Sequence, residues 1–532
     1  MKKTLRITAL LAAALLIMTG PLPARASQEY DPAGSVKLVF TDSGISATSG
    51  KGFKIEGTDL IISSSGTYVV SGSCADGTIS VRKGTEGVTL VLEGLTLSSS
   101  DSAPVCCGKE THVKIIVSSG SVNTLGDSEY NNDEKYPKNG RAENAVIKCK
   151  DGSSVILCGS GELNIVSRGK NGIRGGGDLY AEDSASEVVS PGSLTIQDLT
   201  LNVKACAGDG IKGNALLNIL SGRITVSADD DGIKSEYTLN IGSAGTQGPV
   251  ISVTDAVEGI EAAVINVYSG EVSVSASDDG INAANSDLEN FSFEYNQYGG
   301  YVRVACSGGD AVDSNGTIGL YGGTIEAWGP TAGDGDPLDS EYGTYLQGAT
   351  VLAAGHQGMP QSFVCGTPAA VFTGTGLGTK GGTLEIRDSS SKVLYACEAP
   401  WNVSYVIFSS PELQESQTYL LFGSGAQKAE AAASSQAGFS GGWGPGGPGG
   451  QGSNGPGGPG GPGMNGPGGP GMNGGPGMNG GPGMNGGAQG GTPPEEVPGA
   501  PEETEEAVPE NAAVKEGLLA RILSWLRSLL RR

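Results

Sequence analysis

Six acidic residues, Asp209, Asp231, Glu258, Asp279, Asp310 and Asp336, each open a four-residue phrase. It reads Asp209-Gly-Ile-Lys212, Asp231-Gly-Ile-Lys234, Glu258-Gly-Ile-Glu261 and Asp279-Gly-Ile-Asn282, then decays to Asp310-Ala-Val-Asp313 and Asp336-Pro-Leu-Asp339. Asp230 and Asp278 place further acid beside two of them. If the phrases stack, the carboxylates form a ladder, and directly opposed like charges destabilise a sheet. Such a ladder is either splayed into water or bridged by a cation. Several carboxylate oxygens suit calcium, a hard ion that takes about six to eight oxygen ligands. The expected cofactor is therefore Ca2+, on Asp209, Asp230, Asp231, Glu258, Asp278, Asp279 and Asp310. The competing reading is that Asp and Gly only make turns between strands.

The residue closing each phrase belongs to a second column, which faces outward if the intervening Ile points in. Coil by coil it is Lys148, Arg174, Lys212, Lys234, then Glu261, Asn282, Asp313 and Asp339. The first half is basic and the second acidic or amide. A uronate polymer would meet the basic half directly, at Arg174, Lys212 and Lys234, and the acidic half through calcium. A neutral glucan would need aromatic platforms, and Tyr268, Tyr321 and Trp328 sit on other strands of the coil. No catalytic residue is assigned. His112 and His356, far apart in sequence, favour neither a zinc site nor a Ser-His-Asp triad.

The elements that must hold these residues follow from the intervals. The phrases start 22, 27, 21, 31 and 26 residues apart, a repeat in the range of stacked solenoids. Between them lie alternating runs such as Leu216-Leu-Asn-Ile-Leu220 and Arg223-Ile-Thr-Val-Ser-Ala228, joined by Ser221-Gly222, and no helical period appears. The spacing predicts an all-β parallel β-helix with three strands per coil, adjacent coils lying roughly 4.8 Å apart. Residues 27–425 form this domain. The alternating runs before about Lys138 make its first coils and amino-terminal cap, and the longer apolar strands up to Phe422 make its carboxy-terminal cap. Asp127 to Asn144 and Gly175 to Ser193 are insertions.

Residues 1–26 read as a secretory signal, with Lys2 and Lys3, an apolar run from Ile7 to Met18 and an Ala24-Arg-Ala26 cleavage signature. The expected location is extracellular, with retention at the cell surface as an option. Residues 426–511 form a Gly/Pro/Met/Asn and Glu/Pro linker expected to be disordered. Residues 512–532 read as a cationic amphipathic helix suited to an anionic envelope or membrane surface. A net charge of −24 argues against nucleic acid, which demands a basic surface. Of the nine cysteines, most are expected to be small buried stack members, Cys206 and Cys306 among them.

From about Val36 to Phe422, the Asp-Gly-Ile-Lys phrases, the Leu-Asn-Ile and Ser-Gly segments and Gly66-Thr-Tyr-Val-Val-Ser-Gly72 resemble a secreted family. It is the calcium-containing, carbohydrate-binding β-helix family of cellulolytic clostridia. The resemblance implies a right-handed parallel β-helix like that of pectate lyases, bound calcium, and binding of cellulosic and pectic polymers. The family's acidic positions carry over to Asp209, Asp231 and Asp279, with Glu258 as a departure. Two alternatives stand beside polysaccharide binding: a pectate-lyase-type polysaccharide lyase, with Lys212 or Lys234 near the acids as the proton-abstracting group, and a structural surface or adhesion protein.

Overall fold

The computed structural model describes residues 30–436, apart from 31, 49, 182–186, 289, 334 and 357–362, within one compact unit. The expected signal segment, most of the linker and the terminal cationic helix lie outside the described residues. Those described are all-β, with no helix among them. The chain visits three parallel ladders in a fixed order, here called the A, B and C faces. One circuit runs Ile211–Gly213 on A, Leu216–Ile219 on B and Arg223–Ala228 on C, then returns to A at Ile233. Each strand pairs in register with its counterpart one circuit on: Ile211 with Ile233, Leu217 with Leu239, and Ile224 with Ile251.

Alternation explains why this repeats. On the C face the exposure of Arg223–Ala228 alternates residue by residue, with Ile224 and Val226 fully buried. Stacking these residues in register gives a continuous column of β-branched side chains, which suits a pleated, half-buried surface. The inward column of the A face is Ile173, Ile211, Ile233, Ile260, Ile281 and Val312, all at most 1 % exposed. The glycine of the phrase is required by close approach. A Cβ on Gly232 would stand 2.6 Å from both the Gly259 carbonyl oxygen and Val253 Cγ1. Without a side chain there, the Gly232 amide donates to the Glu258 carbonyl at 2.9 Å, and this keeps the acidic openings stacked.

Antiparallel pairs close the ladders at both ends. Val36–Thr41 pairs with Gly44–Ala47, and Phe53–Glu56 with Asp59–Ile62. At the far end Val403–Ser409 lies antiparallel to both Thr350–Gly355 and Ala369–Gly378. A four-stranded antiparallel sheet follows, ordered Val393–Glu398, Thr383–Asp388, Thr418–Gly423 and Ala426–Ala432. Its last strand overruns the boundary expected at 425. The composition, Ala426-Gln-Lys-Ala-Glu-Ala-Ala432, carries little strand preference, and pairing with Thr418–Gly423 overrides it. Glu326, 3 % exposed, ties this sheet to the C face. Its carboxylate accepts from Tyr301 Oη and Tyr395 Oη, both at 2.8 Å, and from Trp328 Nε1 at 3.2 Å, and it pairs with Arg303.

Cys306 stacks on Ala276 and is fully buried, as expected. Cys206 is exposed. In its coil the stack position belongs to Ala205, which pairs with Ala228, and an offset of one residue turns a side chain to the other side of the strand. Cys74, Cys107, Cys149 and Cys158 are buried as well.

Candidate functional site

The pairings bring the residues closing the phrases into one outward column on the A face. Lys148 pairs with Arg174, Arg174 with Lys212, Lys212 with Lys234, Lys234 with Glu261, Glu261 with Asn282, and Asn282 with Asp313. The column continues upward through Cys106 to Ser80. The acids opening the phrases stack beside it, through backbone bonds from Gly210 to Asp231, Gly232 to Glu258, Gly259 to Asp279 and Gly280 to Asp310.

The column has three charge regimes. In the centre, Lys212 Nζ lies 3.5 Å from Asp209 Oδ2 and 2.8 Å from Glu236 Oε1. Lys234 Nζ lies 2.7 Å from Asp231 Oδ2 and also contacts the Glu261 carboxylate. Burial opposes the Lys234 charge most, yet its bonds to Asp231 and Glu261 win and hold the ammonium well above the usual lysine range. Lys212 and Lys234, expected to meet a uronate polymer directly, are also ion-paired with the protein's own carboxylates, since Glu236 and Glu261 reach them.

Below the centre, Asp310 and Asp313 form no ion pair with a cation among the described residues. Asp310, Asp313 and Asp339 bring carboxylate oxygens within 4.8 Å of one another. Burial first, then the neighbouring carboxylates, pushes Asp310 and Asp313 up to about 7. Glu258 is likewise pushed up to about 7, by burial and then by Asp231. Asn282, 9 % exposed and paired with Asp313, has a buried Oδ1 without a hydrogen-bond partner, while its Nδ2 donates to Glu258 Oε2 at 3.3 Å. Two more carboxylate triplets lie higher: Asp209 with Asp230 and Asp231, and Asp231 with Glu258 and Glu261. Of the expected ligands, Asp278 is exposed and joins no triplet among the described residues. Asp279 joins none either, and its Oδ1 accepts the Asp310 amide at 2.6 Å. Glu261, Asp313 and Asp339 had been read only as part of the outward column. Register signalled their place beside the acids, but their depth did not show in the sequence.

Above the centre, Lys148 and Arg174 form no ion pair with a carboxylate among the described residues, and Arg174 Nε is buried without a partner. Burial first, then the Arg174 charge, pushes the Lys148 ammonium down to about 8.

The other faces carry different chemistry. An asparagine ladder runs along B: Asn240 donates to Asn218 at 2.9 Å, Asn266 to Asn240 at 3.0 Å and Asn296 to Asn266 at 3.4 Å. At the turn between B and C, Tyr268, Tyr298 and Tyr321 stack with ring centroids 5.3 Å apart. Tyr298 is stacked between the other two, and Tyr268 and Tyr321 each have one tyrosine neighbour. Trp328 is fully buried and offers no platform.

Comparison with known proteins adds the following. A carbohydrate-binding domain-containing protein of Acetivibrio thermocellus is 31% identical over 146 residues, 27% of this chain and 50% of that protein. The match thus spans about half the relative's length. A solved structure, described as that of the polysaccharide lyase-like protein from C. thermocellum in its gadolinium derivative, aligns over 58% of this chain and 96% of the other. The alignment has 21% identity and a TM-score of 0.33. The family model described as carbohydrate-binding domain-containing protein matches residues 56–335, more than half of the chain, and the chain belongs to that family.

Proposed function

We propose that the protein is an exported, calcium-dependent polysaccharide-binding protein whose three ladders are the faces of a right-handed parallel β-helix. Its ligands are plant cell-wall polymers, polygalacturonate or pectin and cellulose. Membership of a carbohydrate-binding family supports the polysaccharide. The observation that supports calcium is the in-register A-face column, which ends beside three carboxylates whose oxygens lie within 4.8 Å of one another. The donors fit calcium: Asp310, Asp313 and Asp339 supply hard oxygens, and the Asn282 amide oxygen is left without a hydrogen bond. Calcium there would supply a positive centre to which a uronate carboxylate can bind. The residues themselves hold the polymer's path straight, since successive coils repeat at roughly 4.8 Å. The test is co-sedimentation of the full chain with insoluble pectate and with cellulose, in calcium and in EDTA. Binding to pectate that falls at least tenfold in EDTA is expected. Binding indifferent to EDTA removes calcium from the function, and no binding to any polysaccharide removes the function itself.

A second reading, eliminative cleavage of the same polymer, is favoured by one observation. Lys148 is half-buried, and its ammonium is held down to about 8, so near that pH it could take a proton. Absorbance of unsaturated products from polygalacturonate with calcium decides it.

A further inference from the structure

We infer that Lys148 and Arg174 form an anion subsite that grips the carboxylate of a uronate-containing polysaccharide without metal. This rests on the polysaccharide-binding reading and places part of the ligand on residues away from the acidic column. Three features of the structure converge on the pair.

The first is the cost of leaving the pair as it stands. Lys148 and Arg174 are register partners on adjacent parallel strands, so their backbones lie roughly 4.8 Å apart. Like charges placed opposite one another destabilise a sheet, and partial burial raises the cost. In the turns that follow neighbouring strands of this face the lysines have carboxylate partners: Lys150 with Glu143 at 2.6 Å, Lys109 with Asp151 at 3.4 Å and Lys83 with Glu110 at 3.0 Å. The Lys148–Arg174 pair breaks that pattern.

The second is geometry at the guanidinium. A carboxylate binds arginine through parallel N–H donors, and Nε–H is one side of that fork. Arg174 Nε is buried and is the donor left without a partner, so a turn of the side chain that exposes Nε with one terminal nitrogen would make a bidentate seat beside a second cation.

The third is the setting. The strand bearing Lys148 is preceded by the 128–144 insertion, and the strand bearing Arg174 is followed by the 175–193 insertion. The described residues of both are pinned to the body. Asn131 Nδ2 donates to the Ala145 carbonyl at 2.9 Å and to Asp127 Oδ2 at 2.8 Å. Ser190 Oγ donates to the Gly152 carbonyl at 2.8 Å, and the Gly152 amide donates to the Gly177 carbonyl at 2.8 Å. The two insertions bracket the basic pair. Further up the same column, Ser80 and Cys106 line an open cavity of ≈ 450 Å³ with Lys83, Lys109, Lys150 and Glu143. A polymer leaving the subsite along the column therefore enters a lysine-rich cleft.

The charged and titratable groups around Lys148 are Cys106 above it, Arg174 below, Cys149 on its own strand, Glu143 from the insertion and Asp151 from the next turn. The two acids favour the ammonium, while burial and Arg174 oppose it more strongly. The cation is thus present at pH 6.5 and lost as pH rises through about 8.

The experiment measures binding of soluble polygalacturonate and of cellulose in EDTA, at low salt, by the full chain and by Lys148→Gln/Arg174→Gln. Lys392→Gln, beside the carboxy-terminal sheet, serves as an equal change of charge per site outside the column and the cleft. At pH 6.5 the double variant should bind polygalacturonate at least tenfold more weakly, with cellulose unchanged and Lys392→Gln within about twofold of wild type. Wild-type affinity should fall between pH 6.5 and 9.5, and the double variant's should stay flat. Without ligand the double variant should melt no lower than wild type, since a repulsive pair is removed. Equal polygalacturonate affinity of variant and wild type overturns the subsite, as does a lowered melting temperature, which would mark the pair as structural. A wild type that binds cellulose but not polygalacturonate in EDTA also overturns the subsite and leaves the broader function standing. A wild type that binds no polysaccharide under any condition overturns both.

Discussion

The centre and the lower end of the A-face column stack acids on the same backbone, yet they neutralise them in opposite ways. At the centre, Lys212 and Lys234 each sit between two carboxylates of the chain, and Asp209 and Asp231 are about 5 % exposed or less. At the lower end the corresponding positions are Asn282 and Asp313, and the carboxylate oxygens of Asp310, Asp313 and Asp339 lie within 4.8 Å of one another. The lesson is that the fold does not need a metal to stack acids, because a lysine three residues on suffices. Where the lysine is replaced by Asn or Asp, burial and the neighbouring carboxylates push Asp310 and Asp313 up to about 7.

The strongest way to break this contrast is to make the centre like the lower end. Lys234→Ala leaves Asp231 and Glu261 facing each other without their cation, and removing one partner of a buried pair costs about 3–5 kcal/mol. Urea denaturation in EDTA at pH 7.5 should show that loss, and calcium should restore part of it by occupying the new carboxylate pair. Stability unchanged in EDTA would mean that the central lysines are merely solvated.

A smaller effect is expected from metal alone. Calcium at about a hundred times its dissociation constant should stabilise wild type by about 2.7 kcal/mol through preferential binding to the folded state. The increment should shrink in Asp313→Asn and persist in Lys212→Gln. An increment equal in all three proteins would move the metal away from the Asp310, Asp313 and Asp339 triplet.

The smallest effect concerns protons. Asp310 and Asp313 are pushed from an ordinary 3.8 up to about 7 in the folded chain. A carboxyl with a raised folded value contributes stability that is fully present below about pH 4 and is lost as pH rises through about 7. In EDTA the stability of wild type relative to Asp313→Asn should therefore decline from pH 5 to pH 8, and calcium should flatten the decline. A difference that rises with pH would mean that the burial of Asp313 is overstated.

Much of this architecture was legible before any coordinates. The spacing of the phrases and the two-residue alternation between them imply three strands per repeat, and the pairing of Lys212 with Lys234 and of Asn282 with Asp313 follows from aligning the phrases. What alignment could not reveal was which neighbour a long side chain prefers. Glu236 lies outside the repeated phrase, yet it reaches Lys212 Nζ. Depth was also hidden. Glu326 lies in an alternating run like any other, but the carboxy-terminal sheet folds over it and makes it a four-partner junction. The Lys148–Arg174 pair stood in the sequence as two basic residues among four, and only the ion pairs of the other two set it apart.

The antiparallel strand Val403–Ser409 has a consequence beyond sealing a core. A stack of parallel strands has no intrinsic length, because its last strand presents the same unpaired amides and carbonyls that templated it. Such an end can recruit a second copy and continue as a fibril. Here the C ladder ends at Thr350–Gly355 against a strand running the other way, whose far edge is itself taken by Ala369–Gly378. A second copy offering a parallel strand therefore meets reversed polarity and an occupied edge on this face. The cap works as a stop signal for polymerisation and lets a repetitive chain remain a particle of defined size.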